Sequence, residues 1–180
     1  MGLVTIKRPV GEGEIKMSKR ELLLYSFDHG FDKEDWFPPI KDALGGVTEE
    51  QADWKPEGFA VNTIRQNVHH LLFYKLRLLR DLRGEAQPVG PGDVTNDDTF
   101  EAAVLGNPSW SEAVGQLLEA HAAVRELLAK RSEEALEQPI PKTQAWVYAS
   151  GIIRHDAYHL GQIVQLRKMQ GSWPAHRSFE

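Results

Sequence analysis

The sequence predicts an all-α protein, a four-helix bundle with a long crossover connection. Three observations support this fold class: helix-capping patterns recur along the chain, four long segments carry apolar residues at three- and four-residue steps, and no segment alternates as a strand does. Amphipathic helices bury their apolar stripes by packing against one another. We therefore expect four long antiparallel helices, of which the second and the fourth contribute the functional site, and no sheet of consequence.

The first long helix is expected to follow a capping box at residues 18–21, Ser-Lys-Arg-Glu, and to run from Leu22 to about Phe31. A proline pair within residues 36–39 ends this region, because proline has no backbone N–H and disfavours helix in the residue before it. Two short helices should precede the second long helix. One spans Ile40 to Leu44 and stops at a glycine pair, and a second capping box at residues 48–51 opens the other.

The other three long helices are predicted from their apolar stripes and their end signals. The second runs from Asn62 or Thr63 to Arg83, the third follows a cap at residues 109–112 and runs from about Glu112 to Arg131, and the fourth runs from about Gln144 to Met169. Residues 85–108 form the longest loop, and this length permits a crossover instead of a simple hairpin. A shorter break with two prolines is expected at residues 137–142.

The composition is that of an ordinary globular chain and excludes several functional classes. Of 180 residues, 41% are hydrophobic and 26% are charged, so we expect one folded domain at residues 18–180, preceded by a Gly-rich, loosely attached arm at residues 1–17. The chain has no cysteine, which excludes disulfides, iron–sulfur clusters, Cys-rich zinc sites and a Cys nucleophile. A net charge of −5 without a basic stripe argues against nucleic acid as a partner.

Membrane association and secretion are not expected either. The longest weakly polar stretch, residues 145–153, is far shorter than the ~20 residues that a membrane-spanning helix needs. Residues 1–10 show no long apolar segment and no cleavage site of the kind that signal peptides carry. We therefore expect a cytoplasmic protein.

Histidine is the residue type most able to carry chemistry in this chain. The seven histidines are His29, His69, His70, His121, His155, His159 and His176. His155 and His159 stand four residues apart in the predicted fourth helix, so their side chains share one face and could hold one metal ion. The alternative is a pair of helix histidines that hydrogen bonds and partial burial satisfy.

A third metal ligand would have to come from another helix, and the second helix offers two neighbouring candidates. His69 and His70 lie in the middle of that helix beside its apolar stripe. Adjacent helix residues point about 100° apart, so only one of the two can face the same point as the pair in the fourth helix. Helical periodicity alone leaves the choice between them open.

Two segments carry a resemblance to a known family. Residues 153–171, IRHDAYHLGQIVQLRKMQG, contain the histidine pair, and residues 63–74, TIRQNVHHLLFY, contain a histidine before two aliphatic residues and an aromatic pair. Both segments resemble the motifs of the DinB-like (YfiT-like) superfamily of bacterial four-helix bundles. Residues 36–56 also resemble the family's region between its first two helices, and the whole resemblance extends from about Ser18 to Pro174.

The resemblance implies a metal site made by three histidines, His70, His155 and His159, with His69 as a neighbour of the site. Three neutral imidazoles leave coordination positions open for water or substrate, as in catalytic sites. The implied cofactor is a divalent metal ion, with zinc as the simplest candidate and nickel as another. We expect metal affinity to fall as the pH drops through the range near about 6.5, where an ordinary histidine gains a proton.

The resemblance also implies what such a site does. The family includes proteins described as hydrolases and low-molecular-weight-thiol S-transferases, so the expected function is a metalloenzyme that activates water or a small thiol toward a small-molecule substrate. The sequence does not identify a general base. The alternative is a non-enzymatic, stress-associated bundle that binds a metal or a small ligand. Because bacterial bundles of this family commonly pair, we also expect a homodimer.

Several residues outside the ligand set receive their own interpretations. Gln162 would either orient a bound water or ligand or form a hydrogen bond between helices. Asp156 is expected to be an exposed charge and not a fourth ligand, and Tyr158 is expected to pack in the core and not to line a cavity. His121 is interpreted as a partly buried interior residue. Exposure to solvent is expected for His29 and His176, and packing in the core is expected for Trp36, Trp54, Trp110 and Trp146.

Overall fold

The computed structural model describes residues 4–6, 15–88 and 93–174, and four long helices dominate this part of the chain. The elements in chain order are β1 (Val4–Ile6), β2 (Ile15–Met17), α1 (Lys19–His29), α2 (Ile40–Leu44), α3 (Glu49–Asp53), α4 (Ile64–Arg83), α5 (Trp110–Lys130), α6 (Glu133–Leu136) and α7 (Ala145–Met169). Two 3-10 turns, Asp97–Phe100 and Ala102–Leu105, lie between α4 and α5. The long helices α1, α4, α5 and α7 confirm the predicted all-α bundle.

Side-chain caps explain why the helices begin where they do. Ser18, Thr48 and Ser109 each accept a hydrogen bond from the backbone N–H three residues further on, and the side chain at that position accepts one in return. A fourth capping box, which the sequence analysis did not single out, begins α4 at Thr63. At the other end of α4, Gly84 adopts a left-handed conformation with φ 70°, which ends the helix without the strain that a side chain would add.

The helices do not all run antiparallel, which corrects one part of the prediction. α4 and α5 are parallel, because Arg65 lies over the ring of Trp110 near their first turns. Near their last turns, the Arg131 guanidinium donates to the Leu82 carbonyl at 2.7 Å. Caps and apolar stripes locate helices in the chain but carry no information on their relative direction. Because α4 and α5 are parallel neighbours, the connection between them must return along the bundle, and this is the predicted crossover.

α7 completes the bundle and brings its histidine pair to the middle of α4. Both α1 and α4 pack against α5 and α7. α7 runs antiparallel to α4, since His159 contacts Asn67 and His155 contacts His70 further along α4. The predicted contribution of the second and fourth long helices to one site therefore agrees with the packing.

The core consists of two apolar clusters with a layer of buried polar residues between them. One cluster includes Ile64 and Leu117, and the other includes Leu78 and Leu128. The polar layer, in which no residue is more than 4% exposed, is formed by His70, Lys75, His121, Asp156 and His159. Buried polar groups are costly unless they are paired, so this layer is where the fold departs from simple apolar packing.

The segment predicted as a loosely attached arm contains a two-stranded antiparallel hairpin that the sequence analysis missed. β1 and β2 pair with Val4 opposite Met17 and Ile6 opposite Ile15. β2 packs against α1 and leads into its cap at Ser18. Strands of three residues are too short for an alternating pattern to be recognised. The division into an arm and a domain at residue 18 stays a prediction.

The longest helix, α7, has 25 residues and carries charged side chains along its length, among them Arg154 and Arg167. Within the described ranges, no helix combines the length and the apolar character that a membrane crossing would require.

Candidate metal centre

Three histidines from two helices converge in the polar layer. His70 lies in the middle of α4, and His155 and His159 lie on consecutive turns of α7. One ring nitrogen from each lies within 4.8 Å of the other two, so the three side chains could hold one metal ion. The Nε2 atoms of His70 and His155 are 2.9 Å apart. Two nitrogens that bind one zinc ion at ~2.0–2.1 Å and at roughly 90–110° from each other lie about 2.9–3.4 Å apart, so this spacing suits a shared ion.

A hydrogen bond to the crossover connection fixes the orientation of the His70 ring. His70 Nδ1 lies 2.5 Å from Thr99 Oγ1, and that hydroxyl donates its own proton to the Asn96 carbonyl. The hydroxyl therefore accepts from His70 Nδ1–H, which leaves the lone pair of Nε2 facing the other two histidines. The ring of Phe100 stacks on His70 with 4.0 Å between centroids. Residues of the crossover connection thus orient a ligand candidate on α4.

Asn67 orients His159 in a similar way. The Asn67 side-chain amide donates to the Thr63 carbonyl at 2.8 Å, so its Oδ1 is free to accept from His159 Nδ1, also at 2.8 Å. Asn67 is fully buried, one turn before His70 on α4. This hydrogen bond leaves Nε2 as the free nitrogen of His159. Metal-binding histidines usually have such a partner on the second ring nitrogen, because it fixes the tautomer and makes the ligand more basic.

His155 is held by packing instead of by a hydrogen bond to its second nitrogen. Its Nε2 faces His70, and its Nδ1 is buried without a partner among the described residues. The ring lies edge-on to Tyr74 at 5.2 Å and to His159 at 4.6 Å, measured between centroids. The two neighbouring rings therefore limit the rotation of His155.

Burial keeps the three imidazoles neutral near pH 7. Burial, reinforced by the neighbouring histidines, lowers the pKa of His70 to about 3 and that of His159 to about 4. Burial also lowers the pKa of His155, against the opposing effect of the adjacent Asp156 carboxyl. Neutral imidazole is the form that binds a metal ion, so the site does not have to lose protons before binding.

Of the two neighbouring histidines on α4, only His70 faces the pair on α7. His69 is buried, but its Nδ1 lies 3.3 Å from the Phe100 carbonyl, on the side of the crossover connection. The cluster that could hold a metal ion includes His70 and does not include His69. The structure therefore brings His70, and not His69, beside the histidine pair of α7, whereas metal binding by His70 stays a prediction.

A buried ion pair adjoins the three histidines, and the sequence analysis did not predict it. Lys75 Nζ donates to Asp156 and lies over the rings of Phe27 and Phe31, at 5.1 and 4.8 Å. Asp156 is only 4% exposed, so the prediction of an exposed charge is wrong. Its side chain points into the bundle, where Lys75 meets it. Burial raises the pKa of Asp156, and the positive charge of Lys75 opposes that effect.

His121 lies in the interior, as predicted, but it is buried completely and not partly. It is 2% exposed, and its ring stacks between Phe27 at 4.1 Å and Phe31 at 3.6 Å. Its Nδ1 lies 3.4 Å from Lys75 Nζ, so it belongs to the polar layer without joining the three-histidine cluster.

The predicted roles of the tryptophans and of the remaining histidines have mixed outcomes. Trp110 is buried and its indole N–H donates to the Val47 carbonyl at 2.9 Å, while Trp54 and Trp146 pack against the core from partly buried positions. Trp36 is 91% exposed, so its predicted role in core packing is wrong. Loop residues have no periodicity from which burial could be judged. His29 is partly exposed, and His176 lies outside the described residues.

A pocket of about 1000 Å³ opens beside the three histidines. α7 lines one side of it, and residues 60–62, Tyr74, Asn96 and Phe100 line the others. Tyr158 is 68% exposed and lines this pocket, so its predicted packing in the core is wrong. Gln162 also lines the pocket, and its carboxamide forms no hydrogen bond with a described residue, so the expected bond between helices is not observed. The volume is at the upper end of what small-molecule sites occupy, ~300–1,000 Å³.

Together these features define a class of protein, a helical bundle in which two helices present three histidines to a pocket. The family model of the DinB superfamily matches residues 40–163, which include all three histidines, and the chain belongs to this superfamily. The family resemblance predicted from the two histidine motifs is thereby confirmed. Comparison with curated proteins and with solved structures gives no significant match.

Proposed function

We propose that this protein is a metal-dependent enzyme in which His70, His155 and His159 hold a divalent ion beside the pocket. The observation that carries the proposal is the convergence of three neutral imidazoles on one point next to an open cavity. Among the described residues, no fourth histidine or carboxylate joins the cluster, and three protein ligands with an open position are typical of catalytic zinc sites. We propose zinc as the ion, with nickel as the alternative, because imidazole nitrogen suits both.

The residues around the cluster support this proposal by what they hold in place. Thr99 and Asn67 fix two of the three imidazoles with their Nε2 lone pairs facing inward. Phe100 and Tyr74 cover the rings of His70 and His155 and reduce their contact with water. A divalent ion held there would lower the pKa of water or of a thiol and so supply a nucleophile at neutral pH.

Hydrolysis of a small molecule is the first reaction class that we propose. The pocket is large enough to hold a substrate against the open side of the site. Gln162 lies one helical turn beyond His159, and its carboxamide, which has no hydrogen-bond partner among the described residues, is placed to hydrogen-bond the substrate or the attacking water. Gln162 would position the reactants and would not itself transfer a proton.

A thiol S-transferase is the second candidate, and one observation favours it. None of the described residues that line the pocket is an aspartate or a glutamate, so no carboxylate is placed there as a general base. A free thiol has a pKa near about 8.5 and ionises far more easily than water, so its activation depends less on a base. A small thiol would then be the partner of the metal site and a second molecule the acceptor.

The non-enzymatic alternative shares the metal site but not the chemistry. A bundle that only stores or senses a metal ion would bind it at the same three histidines and would catalyse no reaction. Fold and family do not decide between the two, because function depends on the site and its substrate. Turnover measurements distinguish them.

Metal analysis followed by turnover assays tests the proposal. Protein purified without chelators is expected to contain about one divalent ion per chain. Metal-stripped and zinc- or nickel-reloaded samples are then assayed on uncharged esters and amides, and on electrophiles with an added thiol. His29→Ala, which removes a histidine outside the site, serves as the control. Absence of bound metal, or equal rates for the reloaded protein and for His70→Ala, would overturn the proposal.

We also propose that the protein forms a homodimer, because two-fold pairs are the commonest oligomers of soluble chains. Light scattering at micromolar protein is expected to give about twice the chain mass of 20.3 kDa, and a mass equal to that of one chain would contradict the proposal. The cytoplasmic location expected from the sequence stays a prediction.

A further inference from the structure

We infer that the pocket binds an elongated amphipathic molecule, with an anionic or metal-binding head at the three histidines and an uncharged, apolar tail along α7. The inference rests on the proposed function, because the metal site determines where the head group lies. It adds the chemical class of the ligand, which the three histidines alone do not specify.

The shape of the pocket is the first reason. Its residues on α7 recur at three- and four-residue steps, from His155 and His159 through Gln162 and Leu166 to Met169, so one face of this helix forms one wall of the pocket along its length. The helix rises about 20 Å over this distance. The histidines lie at one end of the pocket. A compact nucleophile such as water needs only ~30 Å³, whereas the pocket provides about 1000 Å³. Most of the pocket is therefore available to another part of a ligand.

The chemistry of the lining changes along the pocket. On α7, two carboxamides, Gln162 and Gln165, follow the histidines, and neither forms a hydrogen bond with a described residue. Further along the same helix the lining becomes apolar, at Leu166 and Met169. Val61 contributes apolar surface from the connection before α4, and Val61 and Met169 keep 39% and 47% of their surface exposed. A ligand that matches this order has hydrogen-bonding groups near its head and apolar groups in its tail.

The charge of the lining is the second reason. None of the described residues that line the pocket is an acid, a lysine or an arginine. Arg154, one turn before Tyr158 on α7, donates to Ser150 Oγ at 2.8 Å and does not line the pocket. A charged tail would lose hydration without gaining a partner. Three neutral ligands leave the charge of a bound divalent ion uncompensated, so the head group is the place for a negative charge.

Three hydroxamic acids that differ only in their tails test the inference by binding, without any need for turnover. Acetohydroxamic acid has a short tail, dodecanohydroxamic acid has an apolar tail long enough to extend from the histidines to Met169, and dodecanedioic acid monohydroxamate has the same chain length with a terminal carboxylate. Their affinities for the zinc-loaded protein are measured by calorimetry. We expect the dodecanoyl compound to bind at least about tenfold more tightly than the acetyl compound, because each buried methylene adds up to about fourfold. We expect the compound with the terminal carboxylate to bind at least about tenfold more weakly than the uncharged compound of the same length.

Substitutions at the far end of the pocket locate the tail. Met169→Glu is expected to weaken dodecanohydroxamate about tenfold and to leave acetohydroxamate unchanged, since only the longer tail reaches this residue. Met169→Lys is expected to strengthen dodecanedioic acid monohydroxamate relative to the dodecanoyl compound. Lys168→Gln is the matched control, because it makes the same change in net charge as Met169→Glu at an exposed neighbour outside the lining.

The outcomes separate this inference from the proposed function. If acetohydroxamate and dodecanohydroxamate bind equally well, the inference is wrong and the metal site stands. If zinc is not retained, or if no hydroxamate binds, the proposed function fails and the inference fails with it. If a second copy of the chain covers the pocket, the dodecanoyl tail will add no affinity and Met169→Glu will lower the mass measured by light scattering, which also overturns the inference.

Discussion

The Nε2 atoms of His70 and His155 lie 2.9 Å apart, although 85 residues separate the two histidines in the chain. Thr99 and Asn67 turn the Nε2 lone pairs of His70 and His159 toward the same point. Lone pairs that face one another cannot all be satisfied by each other's protons while every ring stays neutral. A cation satisfies all three at once, and this is why the arrangement indicates a metal site more strongly than a helical pair of histidines does.

The hydroxyl of Thr99 should matter for metal affinity although it cannot touch the ion. We expect Thr99→Val, which keeps the shape and removes the acceptor for His70 Nδ1–H, to weaken zinc binding about 10- to 100-fold. Zinc affinity is measured by competition with a chromophoric chelator. Thr95→Val is the control, because Thr95 lies in the same connection but bonds to Asp98 and to no histidine. Unchanged affinity of Thr99→Val would contradict the orienting role.

The pH dependence of metal binding should differ from the one that ordinary histidines predict. The sequence suggested that affinity falls near pH 6.5, but burial lowers the pKa of His70 to about 3 and that of His159 to about 4. Protons compete for a ligand only when the pH approaches its pKa in the folded protein. We therefore expect zinc affinity to change less than about threefold between about pH 7 and pH 6. A tenfold loss over that interval would show that the histidines titrate normally.

In the metal-free protein the same histidines should make stability fall in acid. The unfolded chain binds protons at histidine below about pH 6.5, whereas the folded state binds them at His70 and His159 only near the lowered pKa values of about 3 and about 4. The unfolded state therefore gains protons first, and the free energy of unfolding falls as the pH falls from about 6.5 toward about 4.

We expect a loss of about 1 kcal/mol per pH unit for each of these two histidines, measured by urea unfolding between about pH 6.5 and pH 5. Saturating zinc should offset the loss, since an ion that binds only the folded state stabilises it. A metal-free protein equally stable at both pH values would contradict the low pKa values.

We expect that removing one partner of the buried ion pair lowers the free energy of unfolding more than replacing both partners does. Asp156→Asn leaves Lys75 buried without a counter-charge, and removing one partner of such a pair costs about 3–5 kcal/mol. The double substitution Lys75→Met with Asp156→Leu should recover most of that stability, because neither charge of the pair remains buried. Urea unfolding of the single and double variants checks both statements. A single variant as stable as the parent would show that water reaches the pair.

Local signals made much of the fold predictable. The capping boxes at Ser18, Thr48 and Ser109 depend on residues three apart, and the shared face of His155 and His159 depends on residues four apart. Such patterns are contained in short segments and do not require knowledge of the packing. For the same reason the helix ends were predicted closely and the directions of the helices were not.

What depends on packing could not be predicted in the same way. Lys75 stands at helical spacing from Leu71, Leu78 and Leu79, and that position in an apolar stripe is a signal from which a buried lysine could have been predicted but was not. Its partner Asp156 could not be assigned, because the contact depends on how α4 and α7 are aligned. The exposure of Tyr158 likewise depends on a pocket that leaves part of α7 uncovered.

Metal content of single histidine variants tests the central claim most directly. His70→Ala, His155→Ala and His159→Ala should each lose most of the bound metal, since two remaining imidazoles form a weak site. His69→Ala should keep about one ion per chain, because its ring faces the Phe100 carbonyl and not the cluster. The variants are compared at equal helical signal by circular dichroism, so that loss of fold is not mistaken for loss of a ligand. If His69→Ala loses the metal while His70→Ala retains it, or if all four variants bind metal as the parent does, the three-histidine site is wrong.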